Sequence, residues 1–426
     1  MPVVVADVAC TGCGCVCDDL QLTIRDERVV SATGTCPLSH DWFLAQRPFR
    51  EASCRIDGRS GTLDEALARA AEILESSRAP LIYGLARSST PGQRAAVALA
   101  DHLGATIDTT ASRRHGPSIV ALQQVGESTC TLGEARHRCD VVVFWGADPL
   151  TSHPRHGERY SIDPPGLQVP RGRADRKVWV IDVKPTRTAA IADRTLIVPS
   201  GRDLELLTYL RLLIKGIDPA STPEWLDGDA ARQLASDLKG AKSSIVYFGL
   251  GLTRHRASHL TIETLLRLVT ELNDHSRAYA RRLRIPGDIA GADSVLCWQT
   301  GFPFSVNLAL GYPRYSPGEY SAEELMLRGE TDAVLLIGSE SVSRLSSAAT
   351  ERMKRLPTIV LDPPSASPLS WATVMIATAT YGVHEPGTAY RMDETPIRLR
   401  SFLPGGGPTD RSVLESLQSR LTRRLP

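Results

Sequence analysis

The sequence has almost no excess of charge and no long hydrophobic run. Its 49 Lys and Arg residues face 48 Asp and Glu residues, so the formal net charge is +1. Binding to nucleic acid through phosphates needs a basic excess, and we therefore expect no nucleic-acid partner. No stretch approaches the roughly 18 apolar residues of a membrane-spanning helix, and no basic segment followed by an apolar run opens the sequence. We therefore predict a cytoplasmic protein without a membrane partner.

Aromatic residues are also few, at 5%, whereas 42% hydrophobic and 23% charged residues are typical of a globular protein. A chain of 426 residues can bury a large core, and we expect about two to four domains. Four of the nine cysteines lie within eight residues, a pattern that favours reduced thiols or metal ligands over a disulfide framework. The remaining single cysteines are predicted to be small core residues: Cys54, Cys130, Cys139 and Cys297.

The crowded cysteines have the spacing of an iron–sulfur site. Read as ligands, they give C-x2-C-x3-C and a fourth thiolate 19 residues later: Cys10, Cys13, Cys17 and Cys36. Gly12 and Gly14 let the backbone fold tightly, and Cys15 is expected to point away from the other sulfurs. A zinc knuckle or a group of reduced structural thiols is the alternative, although zinc sites more often use two C-x2-C pairs or paired histidines.

After residue 60 the sequence alternates between helix and strand patterns. Short apolar runs that stop at Gly or Asp predict parallel strands covered on both faces. Two pairs of such runs, 141–146 with 178–182 and 333–339 with 358–362, share one layout of strand, helix and a strand ending in Asp near a proline. This layout indicates two related α/β lobes.

The fold class predicted from these patterns is α/β, with a small N-terminal iron–sulfur-type domain and two Rossmann-like lobes. The predicted divisions are a cysteine-motif domain at 1–58, lobe one at 59–240, lobe two at 241–403 and a C-terminal tail at 404–426. Within lobe one, Thr62 and Glu65 have the spacing of a capping box that begins a helix.

Several stretches resemble the B subunit of formylmethanofuran dehydrogenase, a branch of the molybdopterin oxidoreductases. They are CTGCGCVCDDL at 10–20, HGPSIVALQQVGESTCTLGE at 115–134, FWGADPLTSHPRHGERYS at 144–161, VLCWQTGFPFSVNLALGYPRYSPGEY at 295–320 and EPGTAYRMDETPIRLR at 385–400. The order and approximate spacing match over essentially the whole sequence. The resemblance implies the molybdopterin oxidoreductase lobes, here without the C-terminal β-barrel of catalytic relatives.

The resemblance also implies site residues. It assigns Cys10, Cys13, Cys17 and Cys36 to a [4Fe-4S] cluster beside a molybdenum or tungsten bis-pterin. The residues that it places on the pterin side are Gly146, Asp148, His153 and Arg155. His115 and Arg284 match positions that handle protons and orient substrate in the family.

The sequence departs from the family at residue 114. Catalytic members carry a cysteine or selenocysteine that ligates the metal immediately before the histidine, and here that position is Arg114, before His115. A guanidinium is always protonated and cannot coordinate a metal. No thiol lies between Cys54 and Cys130 that could replace it.

Two functions are therefore open, and Arg114 favours the first, so we predict that function and keep the second as the alternative. The first is a redox-silent B subunit similar to that of the bacterial formyltransferase/hydrolase complex in one-carbon metabolism. There, Arg114, His115 and Arg284 are vestigial, and so is the pterin pocket. The bis-pterin is absent, a [4Fe-4S] cluster is retained or its thiols are free, and the partners are the A hydrolase, C and D formyltransferase subunits with a methanofuran-type carrier. The second is an active molybdenum- or tungsten-dependent formylmethanofuran dehydrogenase subunit.

Overall fold

The computed structural model describes residues 1–253, 255, 257–285 and 287–422, so the last four residues of the predicted tail lie outside the described residues. The strands are β1 (Val3–Val8), β2 (Leu20–Arg25), β3 (Arg28–Thr33), β4 (Cys54–Ile56), β5 (Arg59–Gly61), β6 (Pro80–Gly84), β7 (Thr106–Thr109), β8 (Val141–Trp145), β9 (Lys177–Asp182), β10 (Arg194–Ile197), β11 (Ser243–Phe248), β12 (Arg277–Arg282), β13 (Val306–Asn307), β14 (Arg314–Tyr315), β15 (Ala333–Ile337), β16 (Thr358–Asp362), β17 (Val374–Ala377), β18 (Gly387–Tyr390) and β19 (Pro396–Leu399).

The α-helices are α1 (His40–Ala45), α2 (Leu63–Ser76), α3 (Thr90–Leu103), α4 (Ala111–Arg114), α5 (Gly116–Val125), α6 (Leu132–Arg138), α7 (Pro149–Ser152), α8 (Asp203–Ile214), α9 (Gly228–Gly240), α10 (Ser258–Leu272), α11 (Ile289–Thr300), α12 (Ala322–Arg328), α13 (Ser347–Met353) and α14 (Asp410–Arg420). Short helical turns cover Gly157–Ser161, Gly172–Asp175, Ala189–Ile191, Leu250–Thr253 and Ser339–Arg344. The capping box predicted for Thr62 and Glu65 is confirmed at the start of α2.

The chain forms two compact units, Met1–Arg113 with Pro286–Pro426, and Arg114–Ile285. The first unit contains a nine-stranded mixed sheet of order β14-β13-β7-β6-β15-β16-β17-β4-β5. Its central strands β7, β6, β15, β16 and β17 are parallel, and antiparallel strands extend it at both edges. A three-stranded antiparallel sheet β1-β2-β3 and the hairpin β18-β19 complete the sheets described in this unit.

The central strands of the nine-stranded sheet are apolar because both faces are covered. In β15, Leu335 and Ile337 belong to one core, with residues of α2, α3, α11 and α14. Val334 and Leu336 belong to the opposite core, with residues of α12 and α13. Successive side chains of a strand point to opposite faces, so a strand between two helical layers reads as a continuous apolar run.

The second unit contains one five-stranded sheet, in which the strand order is β10-β9-β8-β11-β12 and every pairing is parallel. Its core includes buried residues of α5, α8, α9 and α10. Every helix in the part of the chain that the structure describes is too short or too polar to cross a membrane.

The compact units differ from the consecutive lobes predicted at 59–240 and 241–403. Strand β6 pairs with β15, about 250 residues later, while β8 and β9 pair in the same sheet as β11 and β12. Likewise, β4 lies within the predicted domain 1–58 but pairs with β17 of the large sheet. Apolar runs show that strands exist, but they do not show which strands are neighbours.

Candidate functional site

The cysteine loop, residues 9–19, connects β1 to β2, which pair antiparallel with Val8 opposite Leu20. Two backbone hydrogen bonds close the loop: Cys10 N–H donates to the Cys17 carbonyl over 2.7 Å, and Val16 N–H donates to the Cys13 carbonyl over 3.2 Å. The tight return places Val16 in the left-handed region, at a φ of 37°. The loop therefore folds back on itself and brings its first and last cysteines together.

The fourth predicted ligand, Cys36, lies just before α1. The hydroxyl Oγ of Ser39 is 3.6 Å from Cys36 Sγ, and the same side chain forms a hydrogen bond with the thiol of Cys10. Cys10 also interacts electrostatically with Cys13 and Cys17. The structure thus brings Cys10, Cys13 and Cys17 near one another, and Ser39 contacts both Cys10 and Cys36. These four residues are called the cysteine cluster below.

The sequence predicts that Cys15 points away from the other sulfurs, and this prediction is wrong. Cys15 is fully buried and forms hydrogen bonds with the thiols of Cys13 and Cys17. The hydrogen bond with Cys15 lowers the pKa of Cys13, and the same bond raises the pKa of Cys15. Burial raises the pKa of Cys10 to about 12. The described residues contain no group of three or more His, Cys, Asp or Glu arranged to hold a metal ion, so the four-cysteine ligand set stays a prediction.

An arginine that the sequence analysis did not single out lies against this loop. The Nη1 atom of Arg87 donates to the carbonyl of Thr11 over 2.9 Å, and its Nε donates to Oε1 of Glu340 over 2.8 Å. The positive charge of Arg87 also lowers the pKa of Cys13, in addition to the larger effect of Cys15. The sequence signal for Arg87 is its position just after the strand-to-glycine turn of β6, where ligand-facing groups of parallel sheets are found.

Arg87 also lines a cavity of about 460 Å³ at the carboxyl ends of β15 and β16. Asp362, the last residue of β16, borders this cavity and accepts a hydrogen bond from Ser339 N–H over 2.8 Å. Burial raises the pKa of Asp362 to about 6. The strand-end position of Asp362 agrees with the general rule that ligands of parallel sheets bind beyond the carboxyl ends of strands.

Arg114 and His115 lie at the junction of α4 and α5. Arg114 is half-buried, and His115 is buried and precedes the first residue of α5. The carbonyl of His115 accepts hydrogen bonds from the backbone N–H and the hydroxyl of Ser118, over 3.0 and 2.7 Å. The proton-handling role of His115 and the vestigial role of Arg114 stay predictions.

His153 and Arg284 are in contact within the second unit. A carbonyl can only accept, so His153 Nε2 carries a proton and donates it to the Arg284 carbonyl over 3.0 Å. The other nitrogen, Nδ1, then accepts from the hydroxyl of Ser152 over 2.8 Å. Burial lowers the pKa of His153 to about 4, so the ring is neutral near pH 7. Both ring nitrogens are engaged within the protein.

The other residues assigned to the pterin side have structural contacts of their own. Gly146 has a φ of 57°, and a side chain there would approach Gly251 Cα at 3.0 Å. Asp148 accepts hydrogen bonds from the N–H of Thr188, over 3.0 Å, and from its hydroxyl. Arg155 pairs with Glu158 over 2.5 Å. Their assignment to a pterin pocket stays a prediction.

Among the single cysteines, Cys54 and Cys139 are buried, as predicted. Cys130 is half-buried and forms a hydrogen bond with the thiol of Cys139. Cys297 is exposed, so its prediction as a core residue is wrong. It lies near the end of α11, whereas the two residues before it, Val295 and Leu296, are buried in the core.

Comparison with solved structures first defines the class of fold. Acetylene hydratase from Pelobacter acetylenicus matches 97% of this chain and 68% of its own, with a TM-score of 0.67 and 13% identity. A chain of the formyltransferase/hydrolase complex from Methylorubrum extorquens, solved with methylofuran, matches 86% of this chain and 98% of its own, with a TM-score of 0.71 and 23% identity. The fold is a mixed α/β arrangement of several sheets like that of the molybdopterin oxidoreductases.

Sequence comparison then defines the family. The chain is 35% identical to the B subunit of the tungsten-containing formylmethanofuran dehydrogenase 2 of Methanocaldococcus jannaschii, over 99% of both proteins. It is 27% identical to the B subunit of the formyltransferase/hydrolase complex of Methylorubrum extorquens, over 67% of this chain and 74% of that protein. No protein-family profile matches the sequence. The chain belongs to the family of formylmethanofuran dehydrogenase B subunits, and the predicted resemblance is confirmed.

Proposed function

We propose that the chain is the B subunit of a cytoplasmic, multisubunit complex that oxidises or forms a formyl group on a methanofuran-type carrier, with tungsten or molybdenum. The observation that carries this proposal is the 35% identity over 99% of a relative named as part of a tungsten-containing formylmethanofuran dehydrogenase. The match to the hydrolase-complex protein has lower identity and covers less of the chain. This difference favours the dehydrogenase over the redox-silent alternative.

The cysteine cluster fits the iron–sulfur part of this proposal. Its donor set consists of thiols, it is largely buried, and Gly12 N–H donates to Cys10 Sγ over 3.4 Å, a contact that stabilises a thiolate. Cys10, Cys13, Cys17 and Cys36 would hold a [4Fe-4S] cluster, which supplies one-electron transfer when bound. Two contacts support this ligand set: the Ser39 hydroxyl lies 3.6 Å from Cys36 Sγ, and the closed loop keeps Cys10 close to Cys17.

Residue 114 does not fit the metal part of the proposal. Arg114 has no lone pair to give, so any tungsten or molybdenum would lack the protein ligand that the family resemblance places there. This observation favours a second candidate, a redox-silent subunit that supports hydrolase and formyltransferase partners. In that candidate the chain contributes structure, and its partners act on the formyl carrier.

Elemental analysis separates the two candidates. The complex is purified anaerobically with the full chain and its native partners, and iron, tungsten, molybdenum and zinc are measured per chain by mass spectrometry. Tungsten or molybdenum equal in amount to the chain, together with dye-coupled oxidation of formate, would support the dehydrogenase. The absence of both metals and of turnover in that preparation would refute it and leave the redox-silent candidate.

A cysteine variant tests the cluster separately. We expect Cys13→Ser to lose most of the iron, because it removes one predicted ligand. Cys54→Ser is the matched control, since Cys54 is also buried but lies in β4, outside the cysteine loop. Equal iron contents in the two variants would refute the ligand assignment, and zinc in place of iron would support the zinc alternative.

A further inference from the structure

The turn that follows β6 places Arg87 in an unusual and well-defined position. Gly84 and Leu85 both have positive φ angles, 118° and 74°. A Cβ on Gly84 would lie 2.2 Å from the Ile337 carbonyl, and Leu85 N–H donates to that same carbonyl over 3.1 Å. A bulky residue such as Leu85 rarely adopts this conformation, and such strained backbone is concentrated at functional sites. The neighbouring strand β15 therefore fixes the direction in which the chain leaves β6.

The side chain of Arg87 connects this turn to the cysteine loop. Its guanidinium donates to the carbonyl of Thr11, the residue that directly follows Cys10, and forms a hydrogen bond with the hydroxyl of Tyr381. The Arg87 side chain is 28% exposed, whereas its ion-pair partner Glu340 is 40% exposed. The positive charge is thus held against the loop, and the negative charge lies nearer to solvent.

A fixed positive charge close to an iron–sulfur cluster favours its reduced form, because reduction adds negative charge. Charge and hydrogen bonding near the sulfurs are among the factors that set the potential of such clusters. The effect of a charge is larger where water screens it less. Glu340 opposes this effect, but its greater exposure makes its contribution the smaller of the two.

We propose that Arg87 is a positioning residue that holds the cysteine loop and raises the reduction potential of the cluster in that loop. The proposal rests on the cluster assigned under the proposed function. The ion pair of Arg87 with Glu340 is the contact through which the two charges act on the cluster. The charge of Arg87 raises the reduction potential of the cluster, and the charge of Glu340 lowers it by a smaller amount.

The test is a redox titration of the anaerobically purified complex, followed by electron paramagnetic resonance, with the iron content of each sample measured first. Arg87→Met should lower the midpoint potential by about 59 mV, which corresponds to a tenfold change in the one-electron equilibrium. Arg87→Lys keeps the charge and should stay near the wild-type potential. Glu340→Gln removes the opposing charge and should raise the potential.

The opposite signs expected for Arg87→Met and Glu340→Gln separate an electrostatic role from a loosened loop. If loss of the ion pair acts by loosening the cysteine loop, the midpoint potentials of both variants should shift in the same direction, or both variants should lose iron. Either result would overturn the proposal. The exposed pair of Arg328 with Glu330 serves as the control, since neither Arg328→Met nor Glu330→Gln should move the potential. Wild-type complex without iron would overturn both the cluster and this inference, whereas intact iron with unshifted potentials would overturn this inference alone.

Discussion

Arg176 offers a direct test of how the second unit is held together. Its guanidinium is buried and donates to four backbone carbonyls: Cys139 over 3.2 Å, Ile162 over 3.1 Å, Pro164 over 2.6 Å and Arg136 over 2.6 Å. These carbonyls belong to the end of α6 and to the proline-rich segment that precedes β9. One side chain therefore ties an irregular segment to the helix beside it.

The expected cost of Arg176→Met follows from these contacts. Each hydrogen bond from a charged donor contributes about 1.5–3 kcal/mol, and the loss strands buried carbonyl oxygens. The variant also removes a buried charge whose desolvation is costly, and burial indeed lowers the pKa of Arg176. The two effects partly cancel, and we expect a net loss of about 3–5 kcal/mol. Arg176→Lys keeps the charge but not the planar fork, so its loss should be smaller.

Hydrogen-exchange mass spectrometry is the appropriate assay, because a chain with two compact units need not unfold in one step. The free energy of opening should fall in peptides that cover β8 and β9 and remain unchanged in peptides from β15 and β16. The control is Arg171→Met, which removes an ion pair between the exposed Arg171 side chain and Asp175 and should cost less than about 1 kcal/mol. Arg176→Met indistinguishable from Arg171→Met would refute the reasoning.

Three further predictions concern other residues of the chain. The pKa of His153 falls to about 4 in the folded state from about 6.5 when unfolded, so its stabilising contribution is complete above pH 6.5 and is lost as the pH falls toward 4. His153→Gln should therefore remove about 2 kcal/mol of the stability difference between pH 7 and pH 5, measured as the free energy of opening of the second unit by hydrogen exchange, and an unchanged pH dependence would contradict this. Gly166→Ala places a Cβ 2.5 Å from the Arg136 carbonyl, whereas Gly240→Ala has open space; we expect a loss of about 2–3 kcal/mol in the first variant and no loss in the second, by the same assay. In the native chain, a thiol-alkylating reagent followed by peptide mass mapping should modify Cys297 well before Cys139, and equal rates would mean that the exposure of α11 is misjudged.

The buried parallel strands could be predicted because burial on both faces selects apolar residues throughout. The predicted runs at 141–146, 178–182 and 358–362 correspond to β8, β9 and β16 within one residue at each end. Strand β12, with the sequence RAYARR, could not be recognised this way, since it carries three arginines. Arg282 is tolerated there because Glu127, far away in sequence, pairs with it over 3.0 Å in a nearly fully buried contact.

In the candidate site, too, local features could be predicted from the sequence and contacts between distant segments could not. Cysteine spacing singled out Cys10, Cys13 and Cys17, which a single loop places near one another, and their role as ligands with Cys36 stays a prediction. Ser39 and Arg87 were missed because their roles depend on which segments meet in space: α1 beside the cysteine loop, and the end of β6 beside Thr11. Cys15 was misjudged for a similar reason, since the loop turns at Val16 and buries the Cys15 thiol between those of Cys13 and Cys17.

The cysteine loop favours a bound iron–sulfur cluster, whereas residue 114 argues against bound tungsten or molybdenum. The presence of each cofactor can therefore be tested separately. The chain has all four thiols that a cluster would need, with Ser39 and Arg87 placed to support them. It has no thiol at the one position where the family resemblance places a metal ligand, since Arg114 occupies it. Iron content depends only on the first feature, and tungsten or molybdenum content depends on the second. Iron without either heavy metal would therefore identify a protein that keeps its electron-transfer centre without the chemistry of a dehydrogenase, whereas iron with tungsten would show that the metal is held without a protein sulfur at residue 114.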